Sequence, residues 1–190
     1  LRGYMSNQKN IPIIIGVGQV VDRWDGLDPS LAPSPISLAK EAIARALDDT
    51  GNRELHNNLH TLAVVRAFSD SLRTPFDPLG QAINFPAAIA QAASLAPEQI
   101  IYSPAGGEQP QSLVNELSNA IANGDVRTAM IVGSEANSAL KTALKRGIKL
   151  DWSNDVDAKV QDRGPQTNFL SAYEVPNVIG LRPPPYAVWE

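Results

Sequence analysis

The chain has 190 residues, of which 43% are hydrophobic and 19% are charged, and its formal net charge at pH 7 is -4. This composition is typical of a globular domain with a sizeable core. The acidic balance argues against a nucleic-acid surface, and no apolar run approaches the ~20 residues that a membrane span needs. The absence of cysteine excludes disulfides, thiolate metal sites and cysteine catalysis. We expect a cytoplasmic protein, a reducing cytosol being the simplest setting.

The first predicted unit is a strand followed by a helix. Branched apolar residues over 11–17 predict a buried strand. After a proline-rich loop, Ser34 offers a capping hydroxyl and Pro35 suits the first helical turn. Apolar residues then recur at three- and four-residue steps, which predicts an amphipathic helix that ends at Gly51.

The middle of the chain predicts two further strands around a short helix. Residues 60–68 predict a second strand, and the two prolines within residues 69–80 indicate a surface loop. The alanine-rich residues 87–95 predict a short helix that packs closely against its neighbours. Residues 98–102 predict a third strand.

A turn over residues 103–109 leads into a second amphipathic helix, which ends at Gly124. Residues 128–132 predict a fourth strand, and Ser134 begins a further helix that Gly147 caps. Strands that alternate with helices predict a layered α/β fold with a mostly parallel sheet and helices on both faces.

The regular pattern stops near Gly147 and divides the chain into two parts. We assign residues 11–147 to the α/β domain and residues 148–190 to an irregular tail. A stretch of about 40 residues without regular structure is unusual inside a compact domain. Such a tail is typical of a lid, an interface arm or a segment separated from its partner domain.

Two motifs are weak candidates for ligand binding. Gly16 and Gly18 follow a predicted strand, as in a dinucleotide fingerprint, but a third glycine and an immediate helix are missing. We interpret them as a structural turn. His56 and His60 are four residues apart, a spacing that could bind zinc on a helix, but the polar residues around them indicate a solvated loop. No metal site is therefore predicted.

The turn at Gly106 and Gly107 is the strongest candidate site. Glycines after a strand let the backbone approach a partner closely, and the following helix points free N–H groups at whatever lies there, which favours an anion or an oxyanion. Ser103 and Ser112 are the nearby hydroxyls, and neither has a histidine near it in the sequence. An anion site and a close-packed helix entry both remain open.

Scattered charged residues are further candidates. Glu135 follows the fourth predicted strand and is interpreted as an acidic residue in the first turn of a helix, where the dipole favours it. Four loop arginines could meet phosphates, but scattered arginines are usually solvated or paired at the surface. These are Arg66, Arg73, Arg163 and Arg182.

Several segments, read together, resemble the N-terminal half of the thiolase superfamily, of the acetyl-CoA acetyltransferase type. The resemblance covers roughly residues 12–147, and the set is more specific than any of its pieces. The segments are 12–19 (PIIIGVGQ), 37–42 (SLAKEA), 106–115 (GGEQPQSLVN), 120–124 (AIANG) and 130–136 (MIVGSEA).

In that family the turn before this helix carries the cysteine that accepts the acyl group, and the pattern places this position near Gly107. Glycine cannot form a covalent acyl intermediate, so the resemblance implies a thiolase-like protein without the nucleophile and no catalytic residue at the turn. The implied ligand is acyl-CoA, coenzyme A being a substrate rather than a tightly bound cofactor. The implied binding residues are Gly106, Gly107, Glu108 and Gln109.

The resemblance implies a layered αβα thiolase-type fold of which this chain supplies the N-terminal half, with an irregular loop-domain tail. It implies an acyltransferase that handles acyl-CoA without cysteine catalysis. A non-catalytic acyl-CoA-binding or assembly module that needs a partner half is the alternative. The expected partners are acyl-CoA and either a second copy of the chain or the missing half, with no nucleic acid and no membrane.

Overall fold

The computed structural model describes residues 10–71 and 79–164, and within them the chain forms a layered α/β fold. The helices of eight residues or more are α1 (Pro35–Asp49), α2 (Phe85–Ala92), α3 (Gln109–Asn123) and α4 (Asn137–Arg146). The strands are β1 (Thr61–Val64), β2 (Gln99–Tyr102), β3 (Ala129–Val132) and β4 (Gln161–Asp162). This architecture confirms the predicted fold class.

The four strands form one parallel sheet in the order β3-β1-β2-β4. β1 is the central strand and all four of its residues are buried. In register, Val64 lies opposite Tyr102 on one side and Val132 on the other. Because the strands are parallel, the segments that follow these three residues emerge at one edge, referred to below as the carboxyl edge of the sheet.

Helices cover both faces of the sheet, as predicted. Leu62 and Val64 of β1 pack into one apolar cluster with residues of α1 and α2, including Ile43 and Ile89. The intervening residue, Ala63, points to the other face and packs into a second cluster with β2 and α3. The alternation follows from the period of two along a strand.

Local capping signals place the helix ends. The Ser34 hydroxyl accepts a hydrogen bond from the Ser37 amide at 3.0 Å, and the Ser37 hydroxyl accepts one from the Ser34 amide at 2.9 Å, so α1 begins with a reciprocal capping box. Gly124 and Gly147 end α3 and α4 with φ of 84° and 65°, the left-handed conformation that glycine adopts without strain.

The strand predicted over residues 11–17 is wrong. The segment lies outside the sheet and is largely exposed, with Ile11 at 83% and Ile14 at 80% exposure. Its backbone contacts α1 instead. The Val17 amide donates to the Asp49 carboxylate at 2.9 Å, and a Cβ at Gly18 would lie 2.2 Å from the carbonyl oxygen of Ala42.

Two helices begin at residues other than those predicted. α2 begins at Phe85 because the Asn84 side chain caps it, accepting from the amide of Ala87. α4 begins at Asn137 rather than at Ser134. None of the described helices is both long and apolar enough to cross a membrane.

Residues 148–164 are largely irregular, apart from β4, and residues 165–190 of the predicted tail lie outside the described part. Residues 151–163, here called the strap, run along the carboxyl edge and end in β4. The strap is held by backbone bonds from Trp152 N to Leu79 O at 2.6 Å, from Ile83 N to Asn154 O at 2.8 Å and from Arg163 N to Tyr102 O at 3.1 Å.

Candidate functional site

The turn after β2 contains a buried serine rather than a reactive one. Ser103 is fully buried. Its hydroxyl accepts a hydrogen bond from the Arg66 amide at 3.0 Å and donates one to the Pro104 carbonyl at 2.7 Å. Both roles hold backbone in place, so this hydroxyl is not available as a nucleophile. Ser112, the other candidate hydroxyl, lies on the exposed side of α3.

The glycines of the turn differ in their surroundings. A Cβ built at Gly107 would meet nothing within 4 Å, whereas a Cβ at Gly106 would lie 2.5 Å from the Glu108 carboxylate. The Glu108 carboxylate therefore folds back over Gly106, and it accepts from the Gln109 side-chain amide at 3.0 Å. Its own backbone amide and then Gln109 lower the pKa of Glu108. The four predicted residues thus lie together, and Gly107 faces open space.

α3 starts at this turn with no side-chain cap from any described residue. The Gln109 amide donates to the Gly106 carbonyl at 3.2 Å and the Ser112 amide to the Glu108 carbonyl at 3.0 Å. Pro110 contributes no N–H. A helix start of this kind presents partial positive charge to an anion or a polarised oxygen.

The histidines are at the wrong end of the sheet to serve the turn. His60 precedes β1, where its Nδ1 lies 2.9 Å from the Thr61 hydroxyl and its Nε2 lies 3.7 Å from the Glu98 carboxylate. His56 contacts the Ala93 carbonyl at 3.1 Å. Neither accompanies the hydroxyls at the carboxyl edge. The described residues contain no group of three or more His, Asp and Glu side chains arranged to hold a metal ion.

A second polar region lies at the same edge, and sequence reasoning missed it. The side chain of Arg66 is only 5% exposed and pairs with the carboxylate of Asp162 on β4. Its guanidinium lies 4.0 Å from the centroid of the Tyr102 ring, and Nε donates to the Ser103 carbonyl at 2.8 Å. The interpretation of Arg66 as an ordinary surface arginine is wrong, because it holds three elements together.

Tyr102, the last residue of β2, connects Arg66 to a carboxylate. Its hydroxyl donates to Asp70 at 2.6 Å and accepts from the Ala67 amide at 3.2 Å. Burial, followed by the negative charge of Asp70, raises the pKa of Tyr102 far above its usual range. The phenol therefore stays neutral and acts as a hydrogen-bond donor.

Glu135 also faces this region. It precedes α4, which begins at Asn137. The prediction that Glu135 lies in the first turn of a helix is therefore wrong. Its carboxylate accepts from the Phe68 amide at 2.6 Å. Although the residue is partly exposed, desolvation of the carboxylate raises its pKa; the Phe68 amide opposes this shift and the charge of Asp70 adds to it.

Of the remaining arginines, Arg163 is paired, as a surface arginine is expected to be. Its two terminal nitrogens donate to the carboxylate of Glu116 on α3 at 2.6 and 2.7 Å. This bidentate contact lowers the pKa of Glu116 and attaches the end of the strap to α3. Arg73 and Arg182 lie outside the described residues.

Two cavities at the carboxyl edge share a wall. The larger, of about 380 Å³, reaches Arg66 and Tyr102, and the smaller, of about 40 Å³, reaches Glu135. Asp70 and Gln81 line both. The predicted turn residues line neither, so the structure presents two separate candidate regions. The residues that line the cavities are far apart in the sequence. One signal could have indicated the cavities: each strand is a buried apolar run that ends next to a polar residue.

Comparison with known proteins supports a thiolase-type fold. No family model and no curated protein matches the chain. Among solved structures, the chain is similar to a monomeric SCP2-thiolase-like protein, type 1, from Mycobacterium smegmatis, with 26% sequence identity and a TM-score of 0.50. The match covers 68% of this chain and 24% of that one. The chain thus corresponds to about a quarter of the length of the larger thiolase-like structure.

Proposed function

We propose that this chain is a thiolase-like domain that binds an acyl-CoA thioester at the turn of residues 106–109 without forming a covalent acyl intermediate. The observation that carries the proposal is the open space at Gly107, at an uncapped helix start. Backbone N–H groups there would donate to the thioester carbonyl, as in an oxyanion hole. The similarity to an SCP2-thiolase-like protein supports the same assignment.

The chemistry of the side chains supports binding without covalent catalysis. The chain contains no cysteine. The Ser103 hydroxyl is buried and donates to a carbonyl, and the described histidines lie at the opposite edge of the sheet. Within the described part of the chain, a nucleophile and its base are therefore not brought together at the turn. Acyl transfer to a second substrate would require groups from outside the described residues.

Assembly with a partner is a second candidate function, and one observation favours it. Six apolar residues between positions 11 and 21 have side chains that are 49–83% exposed. An apolar strip of this length is typical of a surface that another chain covers. The residues are Ile11, Ile13, Ile14, Ile15, Val17 and Val21.

Calorimetric titration with acetyl-CoA tests the binding proposal. Gly107→Leu fills the open space of the turn, and Asn119→Leu places the same side chain at an exposed position nearer the end of α3. We expect saturable binding by the unmodified chain and by Asn119→Leu, and binding weaker by about tenfold, the equivalent of ~1.4 kcal/mol, in Gly107→Leu. Equal affinity in all three proteins would reject the turn as the binding site.

A thiolysis assay separates binding from catalysis. The chain is incubated with acetoacetyl-CoA and CoA, and loss of the acetoacetyl thioester is followed by absorbance. We expect no turnover above the rate without protein, because the chain has no cysteine to accept the acyl group. Turnover that follows the protein concentration would contradict the non-covalent proposal while leaving acyl-CoA binding intact.

A further inference from the structure

The apolar strip between residues 11 and 21 lies on a backbone that is attached to α1. The Val17 amide donates to the Asp49 carboxylate at 2.9 Å, and the Gln19 carbonyl accepts from the Arg45 guanidinium at 2.8 Å. Both contacts use the main chain of the segment and a charged side chain of the helix. The segment is therefore held in place by polar contacts of its backbone.

Two glycines bring the same backbone close to the helix. A Cβ at Gly16 would clash with the carbonyl oxygen of Ala46, and a Cβ at Gly18 would clash with that of Ala42. Residues without side chains thus occupy the positions that touch α1. The branched side chains around them remain exposed, at 49–83%, and contribute little to holding the segment on the domain.

The exposed area of the strip approaches what a small dimer interface needs. Burial of a whole isoleucine or valine side chain is worth about 1.5–3 kcal/mol, the equivalent of roughly 60–120 Å². At the observed exposures the six side chains present roughly 250–500 Å² per copy. A stable interface buries about 1,200–2,000 Å² in total, of which about 65% is apolar in homodimers. Two strips, with roughly 500–1,000 Å², supply the apolar share at the lower end of that range.

The charges beside the strip are compatible with a second copy of the chain. Asp22 and Arg23, which directly follow the strip, have opposite signs, and Glu41 pairs with Arg45 on α1 at 3.0 Å. Two copies related by a twofold axis can therefore bring opposite charges together. The net charge of -4 disfavours the alternative of an anionic lipid surface.

We propose that the apolar strip of one copy packs against the apolar strip of a second copy, in a twofold-symmetric dimer. The proposal rests on the assembly function proposed above and names the partner. An apolar surface without directional polar groups is complementary to itself, and twofold symmetry places the same patch on both sides of the interface. Because the area is small, the dimer dissociates in the micromolar range.

Sedimentation equilibrium of the chain and of two aspartate variants tests this interface. Ile13→Asp places a charge within the strip, and Ile83→Asp places one beside the strap, at a side chain with the same exposure of 73%. We expect a dimer with micromolar Kd for the unmodified chain and for Ile83→Asp, and a Kd at least about tenfold higher for Ile13→Asp. A monomer at every concentration up to about 1 mM, or a dimer that Ile13→Asp leaves unchanged, would overturn the proposal.

A thiol placed in the strip separates this proposal from the broader assembly function. The chain has no cysteine, so a maleimide reacts only with the thiol of Val17→Cys. We expect rapid labelling of the dilute monomer and labelling about tenfold slower at concentrations that favour the dimer. Equally rapid labelling at both concentrations would overturn the dimer and leave the strip open to a different partner. Equally slow labelling at both would show that the chain covers the strip itself, and it would reject the assembly function as well.

Discussion

The turn at residues 106–109 and the cavity around Arg66 lie at the same edge of one sheet. They differ in their exposure and in whether backbone or side-chain groups form them. The turn is partly exposed, depends on backbone groups and has open space at Gly107. The cavity is lined in part by the buried side chains of Arg66 and Tyr102. Arg66 lies over the Tyr102 ring, and the Tyr102 hydroxyl donates to Asp70. A site made of backbone can be altered without unfolding the chain, whereas a site made of linked side chains is also part of the structure.

The largest expected effect is on the cavity side, at Arg66. Arg66→Met keeps an aliphatic side chain against the Tyr102 ring but removes the charge and its bonds. We expect a loss of about 3 kcal/mol in the free energy of unfolding, measured in urea. Arg127→Met is the matched control, because Arg127 pairs with Glu98 and its side chain is 77% exposed. Its loss should stay below about 1 kcal/mol. Equal losses would contradict the central role of Arg66.

Two glycine variants compare the regions directly. Gly80, next to the cavity, has φ of 82°, and a Cβ there would lie 2.1 Å from the Ser153 hydroxyl oxygen of the strap. Gly80→Ala should therefore cost about 2 kcal/mol in unfolding free energy. Gly107→Ala meets open space and should change stability by less than about 0.5 kcal/mol. Thermal melts of both variants measure the difference. A larger loss of stability in Gly107→Ala than in Gly80→Ala would contradict this prediction.

Tyr102→Phe removes the hydroxyl that donates to Asp70, and we expect a loss of about 1 kcal/mol at neutral pH. The pKa of Tyr102 is raised in the folded chain. Its contribution is therefore complete below the pKa of about 10 of an unfolded tyrosine and is lost as the pH rises above it. Urea titrations at increasing alkaline pH should show a shallower decline for Tyr102→Phe than for the unmodified chain. Parallel declines would show that ionisation of the Tyr102 phenol does not cause the loss of stability at alkaline pH.

The smallest expected effect is at Glu135. Desolvation raises the pKa of this carboxyl in the folded chain, so the folded state favours its neutral form. The contribution of Glu135 to the free energy of unfolding therefore increases as the pH falls through that pKa. Glu135→Gln keeps an oxygen to accept from the Phe68 amide and removes the charge. We expect a gain of less than about 0.5 kcal/mol at pH 7, since the residue is partly exposed. A clear loss of stability in urea would mean that the charge itself is needed.

Sequence reasoning succeeded where the physical cause is local. The Ser34 cap and the glycine ends of α3 and α4 depend on residues within a few positions, and the α/β fold follows from the alternation of apolar periods. The turn at Gly106 and Gly107 was identified for the same reason, although its binding role remains a prediction.

The failures have non-local causes. Branched residues over 11–17 favour a strand, but whether such a segment joins a sheet depends on which strand accepts it. Here the glycines allow close contact with α1 instead. The cavity was missed because Arg66 meets Tyr102 and Asp162 across 36 and 96 positions. A sequence read in short windows cannot show which loop arginine is buried by such partners.

The order of strands in the sheet sets the order in which backbone amide protons exchange with solvent. β1 has a hydrogen-bonded neighbour on each side and is fully buried, so its amides should exchange only when the whole domain opens. β3 is paired to β1 alone among the described strands, so the amides on its outer side should exchange much sooner. Deuterium labelling should therefore show faster exchange for the amides of the edge strand β3 than for those of the central strand β1.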